Sequence, residues 1–253
     1  MATARQPLQP TTRELPLLDH LEELRWRIIY SCVAWVVGAG VAYNFRGLLM
    51  TLARHPLDAY VNSGHPVVIA SLSVTEPIVV VVQLATFGGL ALALPFIAYQ
   101  LWAFVAPALT RTERLWAAPF VVGLGGSFAL GIAFAYMVIL PNAIPFMLGF
   151  LPGVTNLLSV GRYFSDVTMY LGIFGVVFEL PVTLFLLAKI GLVTATQLRR
   201  WRKAAILTIT AVSAVITPTP DPVNLALMAV PLVLLYEVGI VLAGFARRES
   251  KNV

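Results

Sequence analysis

The sequence predicts an all-α polytopic membrane protein of six transmembrane helices, the fifth and sixth short, with both termini on one side. Three observations predict it. Of 253 residues, 59% are hydrophobic and 11% are charged, whereas an ordinary soluble domain carries about 25% charge. The charges fall in clumps that leave six long apolar stretches between them. The 17 lysines and arginines are also unevenly placed: in a six-span layout only Arg46, Arg54 and Arg162 fall on the side away from the termini. That bias puts both termini in the cytoplasm. It accounts for the net charge of +5 as topology, so no nucleic-acid partner is expected.

Residues 1–15 are polar, with no short apolar core or small-residue cleavage site, and read as a flexible cytoplasmic tail rather than a signal peptide. Pro16 suits the first turn of a helix, where no N–H partner is needed. From Leu17 to Arg27 the chain reads as a two-faced helix. Leu17, Leu21, Leu24 and Ile28 form an apolar stripe, while Asp19, Glu22 and Glu23, followed by Arg25 and Arg27, load the other side. This stretch admits two readings: a surface helix lying on the bilayer, or a carboxylate-bearing surface for a cationic ligand.

A bilayer core needs about 20 apolar residues in helical form. Charge-free gaps place the spans at about 28–45, 77–98, 116–139, 167–188, 204–217 and 222–244, with 247–253 as a second cytoplasmic tail. In the third gap, Pro141, Pro145 and Pro152 are expected to break the helix after the span. Pro218 and Pro220 shorten the fifth span to about 14 residues, which at 1.5 Å each covers only about 21 Å, and local bilayer thinning is expected there. Pro231 divides the sixth. Two spans carry small residues every fourth position, Gly123, Ser127, Gly131 and Ala135 in the third and Ala34, Gly38 and Ala42 in the first. Such faces let helix backbones approach closely, and internal packing is their expected role. In the outside loop from Arg46 to Glu76, Leu48, Leu49, Leu52 and Ala53 suggest a short amphipathic helix.

No phosphate-binding loop, zinc-protease motif or nucleophile elbow occurs in the sequence. No cofactor, metal or enzymatic activity is expected. The single cysteine, Cys32, permits no disulfide within the chain. Two acidic residues lie inside spans, Glu179 in Phe178-Glu179-Leu180-Pro181 and Glu237 nearer the cytoplasmic end. Intramembrane carboxylates are costly and mark functional positions. Asp221 sits in the tight Thr217–Pro222 turn, where it can cap the sixth helix with Pro222 as first residue. Pro56, in the first outside loop, is a further candidate. In the second cytoplasmic loop, Thr110 and Glu113 form a capping-box pattern. Alternatively, Glu113 and Glu23 both face the cytoplasm and receive two guanidinium groups, which pair with carboxylates in two-point fashion as lysine does not.

His20-Leu21-Glu22-Glu23-Leu24-Arg25 resembles the HLxELR entry motif of the TatC family, the receptor subunit of the twin-arginine protein translocase. The loop Gln100–Arg114, Ala133-Phe134-Ala135-Tyr136, Phe178-Glu179-Leu180-Pro181, and Thr217–Asp221 with Glu237 are similar to further family motifs, and the likeness runs from about Leu17 to Ala246. The resemblance implies a cup-shaped bundle of six helices in the cytoplasmic (inner) membrane of a bacterium. It implies binding of twin-arginine signal peptides of folded cargo by Glu23, Glu113, Phe104 and Arg25. Glu179 is implied as an intramembrane contact for the single-span partner TatA, with TatB near the fifth span. The chain is expected to join a larger complex as a homo-oligomer, driven by the proton-motive force. Outside this family, the residues also admit a proton-coupled solute transporter using Glu179 and Glu237, or a scaffold for other membrane helices.

Overall fold

The computed structural model describes residues 15–64, 67–108, 117–150, 156–217 and 221–250. The first helix, α1 (Leu15–Asn44), is unbroken. Its 30 residues reach about 45 Å, longer than a bilayer core. The charged stretch at its start therefore extends the first span along its own axis and does not lie flat as a separate surface helix.

After α1 the chain forms α2 (Arg46–Asn62) and a short strand β1 (Val67–Ala70), then returns through α3 (Glu76–Val105), ending in a 3₁₀ turn at Ala106–Ala108. α2 is the amphipathic helix expected from the Leu48–Ala53 pattern. The third crossing is built from α4 (Ala117–Phe134), a π-helical segment (Ala135–Ile139) and α5 (Leu140–Gly149). Strand β2 (Asn156–Ser159) follows, then α6 (Val160–Val177), α7 (Glu179–Lys189), the short α8 (Ala195–Arg200), α9 (Arg202–Ile216) and α10 (Pro222–Ser250). The segments His20–Asn44, Glu76–Val105, Ala118–Gly149, Val160–Lys189 and Pro222–Ala246 are long and apolar enough to cross a membrane. α9, with 15 residues, is the short fifth crossing and spans about 22 Å. The sixth, α10, is not the short span expected: it runs 29 residues with Pro231 inside one continuous helix.

Pro141 and Pro145 do not break the third crossing as expected. Both lie inside α5. For Pro141, the π segment just before it explains how: Leu140 N–H bonds the carbonyl of Ala135, five residues back. The wider turn relieves the clash between a proline ring and the carbonyl one turn earlier. Pro56 is accommodated differently. It sits inside α2, buried, and its missing N–H leaves the Leu52 carbonyl without its helical donor. The Tyr136 hydroxyl, from the π segment, donates to that carbonyl at 3.0 Å. Tyr163 of α6 donates to the neighbouring Ala53 carbonyl at 2.9 Å. Two tyrosines thus clasp the proline turn of α2 onto the bundle.

Helix α1 packs along α3, and α4 and α6 pack against each other and against α3. Small residues set these distances. A Cβ on Gly38 would lie 2.6 Å from the Gly89 carbonyl oxygen, and one on Gly131 would run into the Phe174 carbonyl. The small-residue faces of the first and third spans therefore pack internally. α10 packs against α7, α8 and α9. The largest core cluster gathers Leu57, Val80, Ile139, Leu140, Val167, Phe174 and Met228, from α2, α3, the third crossing, α6 and α10. Large apolar side chains remain exposed around the outside, Val36, Val122, Leu130 and Val215 among them, as a lipid-facing surface requires.

At the α2 end of the bundle, β1 and β2 pair in parallel, Val67 opposite Asn156 through Ala70 opposite Ser159. Glu76, the first residue of α3, accepts from the Ser159 hydroxyl at 2.8 Å and the Leu72 amide at 3.0 Å. Ser159 in turn caps α6 by accepting from the Arg162 amide. One carboxylate thus staples the starts of two spans.

Candidate functional site at the end of α1

The antiparallel packing of α1 and α3 brings the start of one to the end of the other. Glu23 and Arg27 are one helical turn apart and point toward α3. Arg27 Nη2 donates to Glu23 Oε1 at 3.0 Å, and its Nη1 donates to Gln100 Oε1 of α3 at 2.9 Å. Gln100 is 6% exposed. Glu23 and Arg27 are about two-thirds buried, with side-chain exposures of 33% and 28%. On the other side of Glu23, His20 Nδ1 lies 3.9 Å from Oε2. The His20 ring stacks on Phe104 of α3, centroids 4.4 Å apart and planes 12° from parallel. The result is a half-buried carboxylate flanked by a guanidinium and by an imidazole that an aromatic ring backs. Its pairing with Arg27 shows that the carboxylate accommodates a guanidinium in this environment, where partial burial weakens solvent screening.

The other predicted residues fall elsewhere. Arg25 turns away from Glu23, pairs with exposed Glu22 at 3.6 Å and lies over the Trp26 ring. Glu113 lies outside the described residues, as do Thr110, Pro152, Pro218 and Pro220. Glu179 opens α7 directly after the helix break at Phe178, with Pro181, which cannot continue the α6 hydrogen-bond ladder, two residues on. Glu179 Oε2 lies 2.9 Å from the Ser127 hydroxyl of α4, which is also 2.8 Å from the Gly123 carbonyl. Oε1 is buried with no hydrogen-bond partner among the described residues. Glu237 is held in a two-point pair by Arg202 at the start of α9, at 2.6 Å and 2.9 Å. Asp221 caps α10 through Oδ1, which accepts from the Asn224 amide at 2.7 Å, and Pro222 is the first helical residue.

The structure thus links Glu23 to Phe104 through His20 and leaves Glu179 at a separate intramembrane position. It adds His20, Arg27, Gln100 and Ser127, none of which sequence reasoning singled out as a contact. Arg27 was within reach of it: a carboxylate and a basic residue four positions apart on a helix pair readily. Gln100 had no such signal, because its partner is 73 residues away.

Comparison with known proteins places these features in a family. The family model described as Sec-independent protein translocase protein (TatC) matches residues 19–231. The Sec-independent protein translocase protein TatC of Deinococcus radiodurans is 42% identical, the match covering 95% of this chain and 90% of that one. TatC of Aquifex aeolicus is 37% identical over 94% of this chain and 99% of its own length. A crystal structure described as the twin-arginine translocase receptor TatC superposes with a TM-score of 0.79 at 37% identity, covering 90% of this chain and 99% of that one. The chain belongs to the TatC family of Sec-independent protein translocase proteins.

Proposed function

We propose that this translocase component is the receptor and assembly core of a twin-arginine translocase in a bacterial inner membrane. In this reading it binds the consecutive arginines of cargo signal peptides at the cytoplasmic face, with both of its own termini on that side. The observation that carries it is the half-buried Glu23 carboxylate, already paired to a guanidinium and flanked by the His20–Phe104 stack. Glu113 is the second carboxylate of the proposed pair. Arg25 sits on the outer face of α1 and serves the peptide only at the rim. Family membership supports a non-enzymatic transport role driven by the proton-motive force.

The recruitment of TatA- and TatB-type single-span partners, with further copies of this chain, belongs to the same proposal. Two features support it. Glu179 keeps one carboxylate oxygen unpaired among the described residues, and such a group inside a membrane favours a polar partner. α9 exposes Leu207, Val212 and Val215 and buries only Ser213, which suits a helix with a neighbour to gain. A solute path through Glu179 and Glu237 is disfavoured, because Arg202 already neutralises Glu237.

Photocrosslinking tests the proposal. A twin-arginine peptide should crosslink to the α1–α3 end of the full chain, and the same peptide with two lysines should crosslink at least about tenfold less, because an ammonium cannot form the two-point pair. Equal crosslinking by both peptides would refute the receptor reading. Glu179→Gln should leave the crosslink intact while reducing co-purification of the single-span partners.

A further inference from the structure

We propose that Arg27 is an internal competitor for the receptor carboxylate, occupying Glu23 in the resting state and giving it up to the incoming arginine. The inference rests on the reading of Glu23 as a peptide ligand. Three observations carry it. The Arg27 guanidinium contacts the Glu23 carboxylate at 3.0 Å, which is the group and the chemistry the ligand would bring. A second hydrogen bond, to Gln100 at 2.9 Å, anchors Arg27 across the α1–α3 interface, so the occupied arrangement is specified from both helices. Arg27 holds Oε1 of Glu23, so an incoming guanidinium that takes both carboxylate oxygens in a two-point pair must displace it.

Exchange has a defined energetic form. Pairing with Arg27 lowers the fraction of receptor in which Glu23 is open, and every ligand's apparent affinity falls by that same fraction. The ratio of affinities for arginine and lysine peptides is therefore unchanged. What changes is the floor. A ligand making only a single-point contact is pushed out of the working concentration range, while a ligand that restores a full guanidinium pair regains what Arg27 gives up. Arg27 sets a threshold for binding, and the two-point geometry of the ligand sets preference.

The test is titration of fluorescent twin-arginine and twin-lysine peptides onto the full chain in lipid nanodiscs, comparing wild type with Arg27→Gln, Arg27→Lys, Glu23→Gln and the Glu23→Gln/Arg27→Gln double variant. The expected result for Arg27→Gln is tighter binding of both peptides by a common factor of about three to ten, the range for a partly screened ion pair. Arg27→Lys conserves the charge but loses the fork, so it should tighten both peptides in the same direction by a smaller factor. The double variant should show no gain over Glu23→Gln alone. If Glu23→Gln weakens binding but both Arg27 variants bind no more tightly than wild type, Arg27 is a structural tie between α1 and α3 and the competitor proposal fails alone. A gain for Arg27→Gln with none for Arg27→Lys would reduce the effect to general electrostatics and also overturn it. If Glu23→Gln binds as wild type, the receptor reading of Glu23 fails, and the competitor proposal with it.

Discussion

Replacing Glu23 and Glu113 together by glutamine should lower twin-arginine peptide affinity by about a hundredfold, and either change alone by about tenfold. Glutamine keeps the size of the side chain and one acceptor oxygen but removes the charge, so the helix is preserved and the charge-assisted pair is not. Burial decides the magnitude. A fully exposed pair contributes about 0–1 kcal/mol, whereas partial burial at 33% exposure raises the value of a well-aligned guanidinium contact. The flanking stack adds a shape component, since the His20 ring beside the carboxylate is held in place by stacking on Phe104. Binding isotherms of the three variants at two salt concentrations provide the measurement. The wild-type affinity should fall as salt rises, and the double variant's residual affinity should depend on salt much less.

Gly131→Ala should destabilise the protein by about 2 kcal/mol, a large effect for a single methyl group. The added Cβ would meet the Phe174 carbonyl oxygen and the Gly175 Cα, which are backbone atoms of α6 and cannot rotate aside. The two helices must separate, loosening Phe174, which is fully buried in the main core cluster. Gly126→Ala, five residues earlier on the exposed face of α4, is the control. Its Cβ would meet nothing within 4 Å, so only the backbone effect remains and stability should rise by up to about 1 kcal/mol. Thermal unfolding of both variants in the same detergent reads the contrast directly. Equal shifts in the two variants would show that close approach of α4 and α6 does not set this packing distance.

What the sequence made legible follows from how local the signal is. The long crossings were visible because apolar runs and charge gaps are continuous along the chain. α2 was visible because its stripe lies within a few residues, and the start of α10 because Asp221 and Pro222 are adjacent. The small-residue faces of α1 and α4 announced close packing without naming the partner helix. Contacts across large separations left no such trace. The tyrosine clasps on α2 join residues 84 and 110 positions apart, the Ser127–Glu179 contact 52, and the Arg202–Glu237 pair 35. The continuation of the helix through Pro141 was hidden for a related reason. Proline is a local breaking signal, and the wide turn that overrides it depends on hydrogen bonding in the preceding five residues. At the candidate site, motif and charge pointed to Glu23 and Phe104, but the arrangement that makes Glu23 a guanidinium site belongs to the α1–α3 interface.

The carboxylate staple and strand pair at the α2 end also order the events of biogenesis. Glu76 waits for a partner 83 residues further along, and β1 waits for β2. During synthesis, therefore, α1 and α3 enter the bilayer, with α2 between them, before that clasp exists. Their early association falls to the Gly38–Gly89 contact and the Trp35 indole bond to the Thr86 carbonyl. Completion of β2 then closes a long chain loop at the membrane surface, and long-range pairings of this kind form late. A nascent chain arrested before Ser159 should thus hold a paired α1–α3 hairpin while its outer cap is still open to proteolysis.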